Sequence, residues 1–522
     1  MEIRKFAKQA LLLHYLRCYV GLRSSVLGLL SLFFVLSLFL PALNSEENAP
    51  IPLDHWSYDI IEYFSAERIL SIDLQTKPIT RKAICLALDE VKGKYVNNEL
   101  ALDNVEENLL ASLYEEFSLV PMHNLRNVPK TIYSTDFLSL MEETKTGIEI
   151  IRKKNNWEYE VAFQTSFWSN LSKHISFAEE MTLIKDNDSE TTIIPGTRKW
   201  KGIAGTTPSA LFSLSFPHIE INAGRTTNWL GPGRFGTLLL SNNYPFFDEI
   251  NTALEIGKFK LSSFFIVVNI DSMKFLAGHR AELKEIYGIT FGFNEFVLFS
   301  GRIEPGYLNP LLILYGEQYN RGDRDNIMWS FDLSFHFLGK SKLYSEFLID
   351  DFQYESTPPA PNKIGSLIGL QIAEPLNLPR LQGFFEYTRI AKWVYTHKYS
   401  ENTYSNFSAC LGHPLGPDGD ELNITFKEYL RWNVIPQVHF GYIRKGEGNL
   451  QNPWQKDTDP HPPFPSGIVE STLLFEATIF LKPFRSCEYI LGWKTYRTEN
   501  LHNIQDWTEQ DNEFYINISL TF

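Results

Sequence analysis

The 20 residues from Gly224 to Asn243 gather Arg225, Trp229, Arg234, Asn242 and Asn243 around Gly231, Pro232, Gly233 and Gly236. An indole face packs on the apolar C–H face of a sugar ring, while amides and guanidinium groups pair with its hydroxyls. Either arginine also matches a uronic acid carboxylate bidentately. A plain structural role fits the same residues, with Gly231-Pro232-Gly233 as a tight inward turn and Trp229 and Arg234 bracing an interior. His279 and Arg280 form a second candidate pair, either ligand contacts or interior residues paired to Glu282 or Glu285.

Other chemistries fit less well. Gly231, Gly233 and Gly236 have the spacing of a dinucleotide loop, but Asn242-Asn243-Tyr244-Pro245 follows where a phosphate-binding helix should run. No cofactor is expected. Asp350 and Asp351 are adjacent on an expected strand and so face opposite ways. Without a bulge they share neither a Ca²⁺ site nor the paired-carboxyl geometry of glycoside hydrolysis, and they read as strand-end acids. No serine-hydrolase elbow, zinc-protease pair or EF-hand loop occurs, so no enzyme and no metal site is expected.

The Trp229-Leu230-Gly231-Pro232-Gly233 run, the aliphatic Leu238-Leu239-Leu240 and the following Ser241-Asn242-Asn243 resemble the signature of the capsule-assembly Wzi family. Here Leu230 separates the Trp from the Gly, a small departure. Gly278-His279-Arg280, Phe347 to Phe352 and Gly412 to Asp418 add further matches, so the resemblance spans about residues 220–420. It implies an 18-stranded outer-membrane barrel with a small periplasmic helical part, a lectin that holds capsular polysaccharide. A porin for sugars or other small solutes is the alternative; an open lumen would favour it and a plug would favour the lectin.

The elements that would carry these residues are legible from the ends inward. In Glu513–Phe522, Phe514, Ile516, Ile518, Leu520 and Phe522 share one strand face and polar residues share the other. An apolar outer face ending on an aromatic suits the closing strand of a barrel in lipid. It also resembles the C-terminal signal read by the barrel-assembly machinery. At the other end, Arg4, Lys5, Lys8, Arg17 and Arg23 precede the uncharged stretch Val26–Leu40, and small residues follow. This is the layout of a signal peptide, residues 1–45. Its removal takes the formal charge from −14 to about −18, which argues against nucleic acid as a partner. The expected partners are surface polysaccharide and the lipid and lipopolysaccharide of an outer membrane.

Residues 46–125 read as a helical periplasmic segment. Asp54 is expected to cap a helix over Trp56–Arg68, Thr80 a second through Val91, and Val105–Phe117 forms a third. Leu53 to Phe64 resembles the opening of S-layer-homology modules, which would imply peptidoglycan contact; a plug or packing element is the other reading. Residues 130–522 switch to a period of two and accommodate about 16–18 strands of an all-β, antiparallel transmembrane barrel. Expected strands include Leu211–Ile221 with a bend at Pro217, Leu254–Leu261, Phe293–Ile303 and Phe384–Tyr395. Gln451–Gly467 is the longest irregular piece. Beyond the leader, Cys85, Cys410 and Cys487 lack metal-type spacing, and one disulfide is left open.

Overall fold

The computed structural model describes residues 49–97, 99–117, 130–135, 138–153, 156–172, 174–186, 197–322, 324–352, 360–484 and 486–522. The expected signal peptide lies outside them.

A closed antiparallel barrel of 18 strands makes up most of the chain. Its first half is β1 (Leu138–Lys153), β2 (Asn156–Ser172), β3 (Ile175–Asp186), β4 (Ile203–Ser215), β5 (Ile219–Thr226), β6 (Phe247–Ile256), β7 (Phe259–Asn269), β8 (Lys274–Ile286) and β9 (Ile289–Ser300). The second half is β10 (Asn326–Phe337), β11 (Ser341–Asp351), β12 (Lys363–Ala373), β13 (Leu381–Ile390), β14 (Gly419–Glu428), β15 (Val434–Lys445), β16 (Glu470–Phe484), β17 (Cys487–Glu499) and β18 (Thr508–Thr521). β18 closes on β1, pairing Glu513 with Lys153 through Thr521 with Lys145. A short strand, Lys130–Thr135, pairs with the start of β1 beside the end of β18 and adds no position to the ring.

Closure follows from the alternation. Phe514, Ile516, Leu520 and Phe522 stand exposed on the outer wall, whereas Tyr515 and Asn517 on the opposite face are half-buried. No helix among the described residues is long and apolar enough to cross a membrane; here strands present the apolar surface, with every central ladder paired.

Two expected strands prove to be hairpins. Leu211–Ile221 divides into the end of β4 and the start of β5, with Pro217 in the turn because it cannot donate to a ladder. Leu254–Leu261 likewise divides at Gly257-Lys258, where Gly257 takes φ +60°. Apolar residues continue on the outer face through both turns, which hides them from a periodicity reading. The strand expected over Phe384–Tyr395 stops at Ile390, because Val394 and Tyr395 turn into the lumen.

The helices are α1 (Ser57–Ala66), α2 (Arg81–Val96), α3 (Asn104–Phe117) and, in a later loop, α4 (Leu314–Asn320). Thr80 caps α2 as expected, accepting from Ala83 N at 3.2 Å. Asp54 does not cap α1: that helix begins after Trp56 without a side-chain cap. At α3 Asp103 accepts from Val105 N and Glu106 N at 2.7 and 2.9 Å, while Glu106 accepts from Asp103 N at 2.8 Å. This is a capping box that the sequence reading missed.

Ile60, Phe64, Ile84, Leu88, Leu109 and Leu113 form one core with Tyr429 and Ile435 of the barrel. The contacts cluster at the barrel end with the short turns. Arg68 donates to His336 O at 3.1 Å, Lys340 meets Glu67 at 2.8 Å and Arg380 meets Asp103 at 2.6 Å. The helical unit therefore sits across that mouth. The connections 227–246, 301–325, 391–418 and 446–469 lie at the opposite, long-loop end.

Candidate functional site

Loop 227–246 turns inward from β5 and meets the helical unit inside the barrel. Trp229 and Leu230 pair as a short ladder with Lys77 and Thr76, and Gly231 N donates to Gln75 O at 2.8 Å. Carboxylates on the lumen wall hold the next residues by their backbone. Glu346 accepts from Gly233 N and Leu238 N at 2.9 and 2.7 Å. Glu386 accepts from Arg234 N, Phe235 N and the Tyr344 hydroxyl at 2.7, 3.2 and 2.8 Å. Neither glutamate was singled out in the sequence, since lumen acids on alternating strands carry no distinguishing pattern.

This seat explains the glycines. A Cβ on Gly231, whose φ is +142°, would lie 2.3 Å from Glu346 Oε1, and one on Gly236 would lie 2.5 Å from the His413 ring. Their spacing serves close packing of a loop on a wall.

Leu238, Leu239 and Leu240 then enter a core with Ile266, Leu276, Leu298, Leu348, Val394 and Tyr395. Three loops lock together over it. Tyr395 donates from its hydroxyl to Leu238 O at 2.5 Å, and Asn243 Nδ2 donates to Cys410 O and Gly412 O at 3.1 and 2.6 Å. Asp418 accepts from Gly448 N and Ser466 N at 2.8 and 3.0 Å. Asp350, a strand-end acid in the sequence reading, accepts from Tyr395 N at 2.5 Å. The result is a lid, joined to the helical plug through Arg234, which bonds Glu62 and stands 3.6 Å from Asp59.

Burial alone would raise the Glu62 carboxyl, but Arg234, Lys77 and Lys427 outweigh it and hold it down to about 2. The Arg234 guanidinium is raised above its ordinary value for the reciprocal reason and stacks 3.9 Å from the Phe384 ring.

The seven candidates fall into different places. Trp229 is buried and donates Nε1 to Gly233 O at 3.1 Å, so it braces the turn beside Arg234. Asn243 ties the lid, while Asn242 is exposed. Arg280 is fully enclosed on the lumen side, bonding Asp332 at 2.6 and 3.0 Å and meeting the expected Glu282 at 3.0 Å. Arg225 pairs bidentately with Asp248 at 2.8 and 2.9 Å on the outward face, in register with Ile219 and Ile221 opposite Leu254 and Thr252. His279 also faces outward and bonds Glu295 at 3.0 Å, which corrects the expectation of a lumen residue paired to Glu282 or Glu285.

A surface group that the sequence reading missed starts two residues after Asn242 in the chain. Tyr244 stacks on Phe407 at 6.3 Å and on Phe247 at 5.1 Å. Phe407 tops a hairpin whose rungs are Ser405 with Cys410 and Asn406 with Ala409. It takes φ +50° and is 51% exposed, although Asn406 beneath it is 2% exposed. Lys274 Nζ anchors the hairpin at Thr403 O and Ser405 O, 2.6 and 2.7 Å away. A bulky side chain held in the left-handed region at an exposed tip carries conformational strain, as Tyr287, Leu338 and Leu376 at the short turns also do.

The lumen is not filled evenly. Inward residues of β7–β13 such as Ile266, Leu298 and Leu367 are buried, but Glu149, Glu160, Glu476, Lys494 and Tyr515 on the other side are only half-buried. Crevices of 440 Å³ and 710 Å³ run between the helical unit and the wall, the first lined by Arg81, Lys145, Gln164, Glu180, Asn242 and Glu488. Cys85, Cys410 and Cys487 are free thiols.

The lid should loosen in acid. Burial, then Lys445, pushes the enclosed His413 imidazole down from 6.5 to about 3. The unfolded side chain gains a proton that the folded one refuses, so stability is full above pH 6.5. It falls as pH drops from there toward 3, by about 1.4 kcal/mol per pH unit. Limited proteolysis of the lid should accelerate between neutral pH and about pH 5, and His413→Gln should flatten that dependence.

The family model described as capsule assembly protein Wzi matches residues 149–511. No curated protein sequence matches significantly. Among solved structures, the Escherichia coli outer-membrane protein Wzi, described as a carbohydrate-binding β-barrel involved in group 1 capsule assembly, is similar at 13% identity. It gives a TM-score of 0.61, with 92% of this chain and 100% of that one covered, and shares the fold. Pseudomonas aeruginosa OccD3 (OpdP) is a weaker likeness, at TM-score 0.45 and 10% identity over 76% of this chain and 93% of that one.

Proposed function

The chain belongs to the capsule assembly protein Wzi family, and from that premise we propose an outer-membrane barrel that binds and organises surface polysaccharide at its long-loop face, without catalysis. The joint of lid and plug carries the reading: Arg234 of the lid bonds α1 inside the barrel, so a polymer is met on the outer face rather than threaded through that half. In this reading residues 1–45 are removed as a signal peptide, the helical segment faces the periplasm, and the C-terminal strand is read by the barrel-assembly machinery.

Of the sequence candidates, Asn242 is assigned to the glycan together with Tyr244 and Phe407. Trp229, Arg234, Asn243 and Arg280 support the lid and plug from behind. Arg225 and His279 lie on the outer wall, away from that group. The stacked rings offer a face for the C–H side of a sugar, and Asn242, exposed in the same loop as Tyr244, offers an amide for its hydroxyls.

Phe407→Gly tests this assignment. Glycine suits φ +50°, so relief of strain offsets the added chain entropy and stability should stay near the native value. The lost aromatic contact, about 0.5–1.5 kcal/mol, should weaken retention of the host's purified surface polysaccharide by up to about tenfold. Unchanged retention by a folded Phe407→Gly protein would remove Phe407 from the site.

A further inference from the structure

Between β7 and β10 the barrel's outer wall is covered by the chain itself. Strand register turns Phe275, Val297 and Phe299 outward with His279 and Glu295, yet those three apolar side chains are at most 2% exposed. Tyr307 and Leu314 of loop 301–325 lie on them. The loop thus folds down the outside of the wall instead of over the mouth.

How far down is fixed by Glu295. It lies five positions before the strand end at Ser300, on the order of 10–15 Å along the barrel at the usual rise and tilt. Its oxygens accept from Leu314 N and Tyr315 N at 3.0 Å each and from Trp329 Nε1 at 3.1 Å, and meet His279 at 3.0 Å. A bare carboxylate at that level of a lipid-facing wall is disfavoured. Here the start of α4 covers it and satisfies it, so α4 takes over the wall's surface at that level.

The surface the loop then presents is apolar. Leu308, Leu311 and Ile313 are 43%, 82% and 70% exposed. They continue the outward faces of the same strands, where Phe291, Leu333 and Phe335 are 38%, 39% and 36% exposed.

We propose that loop 301–325 is an outer-leaflet segment: Leu308, Leu311 and Ile313 are immersed in lipid, and α4 lies against the barrel wall within the membrane. Continuity with the strand wall identifies the occupant as lipid, and the inference rests on the outer-membrane reading above. Such a segment fixes how deep the barrel sits beside the lid.

The test is fluorescence of single added tryptophans in the full-length protein, refolded into phosphatidylcholine vesicles with and without bromine at mid-chain. Leu311→Trp and Ile313→Trp change exposed positions. Leu333→Trp reports the strand wall, and Leu376→Trp reports the short-turn end, where Leu376 is 92% exposed. The expected result is loss of most of the added emission at 311, 313 and 333 in brominated lipid, with none at 376. Quenching at 333 without quenching at 311 and 313 would overturn the inference and leave the outer-membrane reading standing. In that case, blue-shifted emission that depends on protein density would identify a second copy of the chain as the occupant instead. No quenching at 333 either would overturn both.

Discussion

Arg234→Met should unfasten the lid from the plug and be among the most destabilising single changes in the chain. The Arg234 and Glu62 side chains are 17% and 15% exposed, so solvent screens the pair little. Removing one member of a buried pair costs about 3–5 kcal/mol, chiefly because a desolvated charge is left behind. Glu62 retains Lys77 at 3.4 Å, which places the expected loss toward the lower end of that range. Urea unfolding of the refolded barrel should show a lower midpoint at unchanged slope. Arg234→Met with Glu62→Leu should recover part of the loss, since an apolar replacement of the whole pair leaves no orphan charge. A native midpoint for the single variant would mean that the joint is dispensable and that the backbone clasps at Glu346 and Glu386 hold the lid alone.

The second large effect is expected at Arg280, the only candidate with no exposed surface. Its guanidinium joins Asp332, Glu282 and, at 3.1 Å, Asn294, while Thr76 of the plug reaches Glu282 at 3.2 Å. Arg280→Met would leave two wall carboxylates facing each other in the same enclosure, at a cost of about 3–5 kcal/mol. Because Gln75 and Thr76 touch this knot, the plug should become the most protease-sensitive part of the variant. Arg280→Lys should rescue only partly, since a point charge cannot bond Asp332 through two parallel donors. If polysaccharide retention falls in a stably folded Arg280→Lys protein, Arg280 acts through more than the plug.

The sequence made the barrel legible because a lipid-facing strand must alternate, and Phe514 to Phe522 shows that alternation without interruption. The Gly231 to Gly236 spacing likewise marked a loop under tight steric demand. What escaped was set by contacts distant in sequence. Phe407 enters the proposed site only because its ring stacks on Tyr244, and a lone Phe between Asn406 and Ser408 carries no such signal. His279 and Arg280 both read as lumen residues paired to Glu282 or Glu285, yet neighbours on a strand face opposite ways, so at most one of the pair could be. Pro217 reads as a bend within one strand and not as a hairpin turn, and Gly257-Lys258 reads as strand, because apolar outward residues flank both.

Planar-bilayer conductance of the refolded full-length protein, measured beside retention of the host's purified surface polysaccharide, decides whether the barrel holds the polymer outside or conducts solutes. The expected result is a barrel that shows no steady channels of nanosiemens scale and retains the polymer. Steady nanosiemens channels, unaffected by polymer and accompanied by no retention, would contradict it and identify the chain as a solute porin.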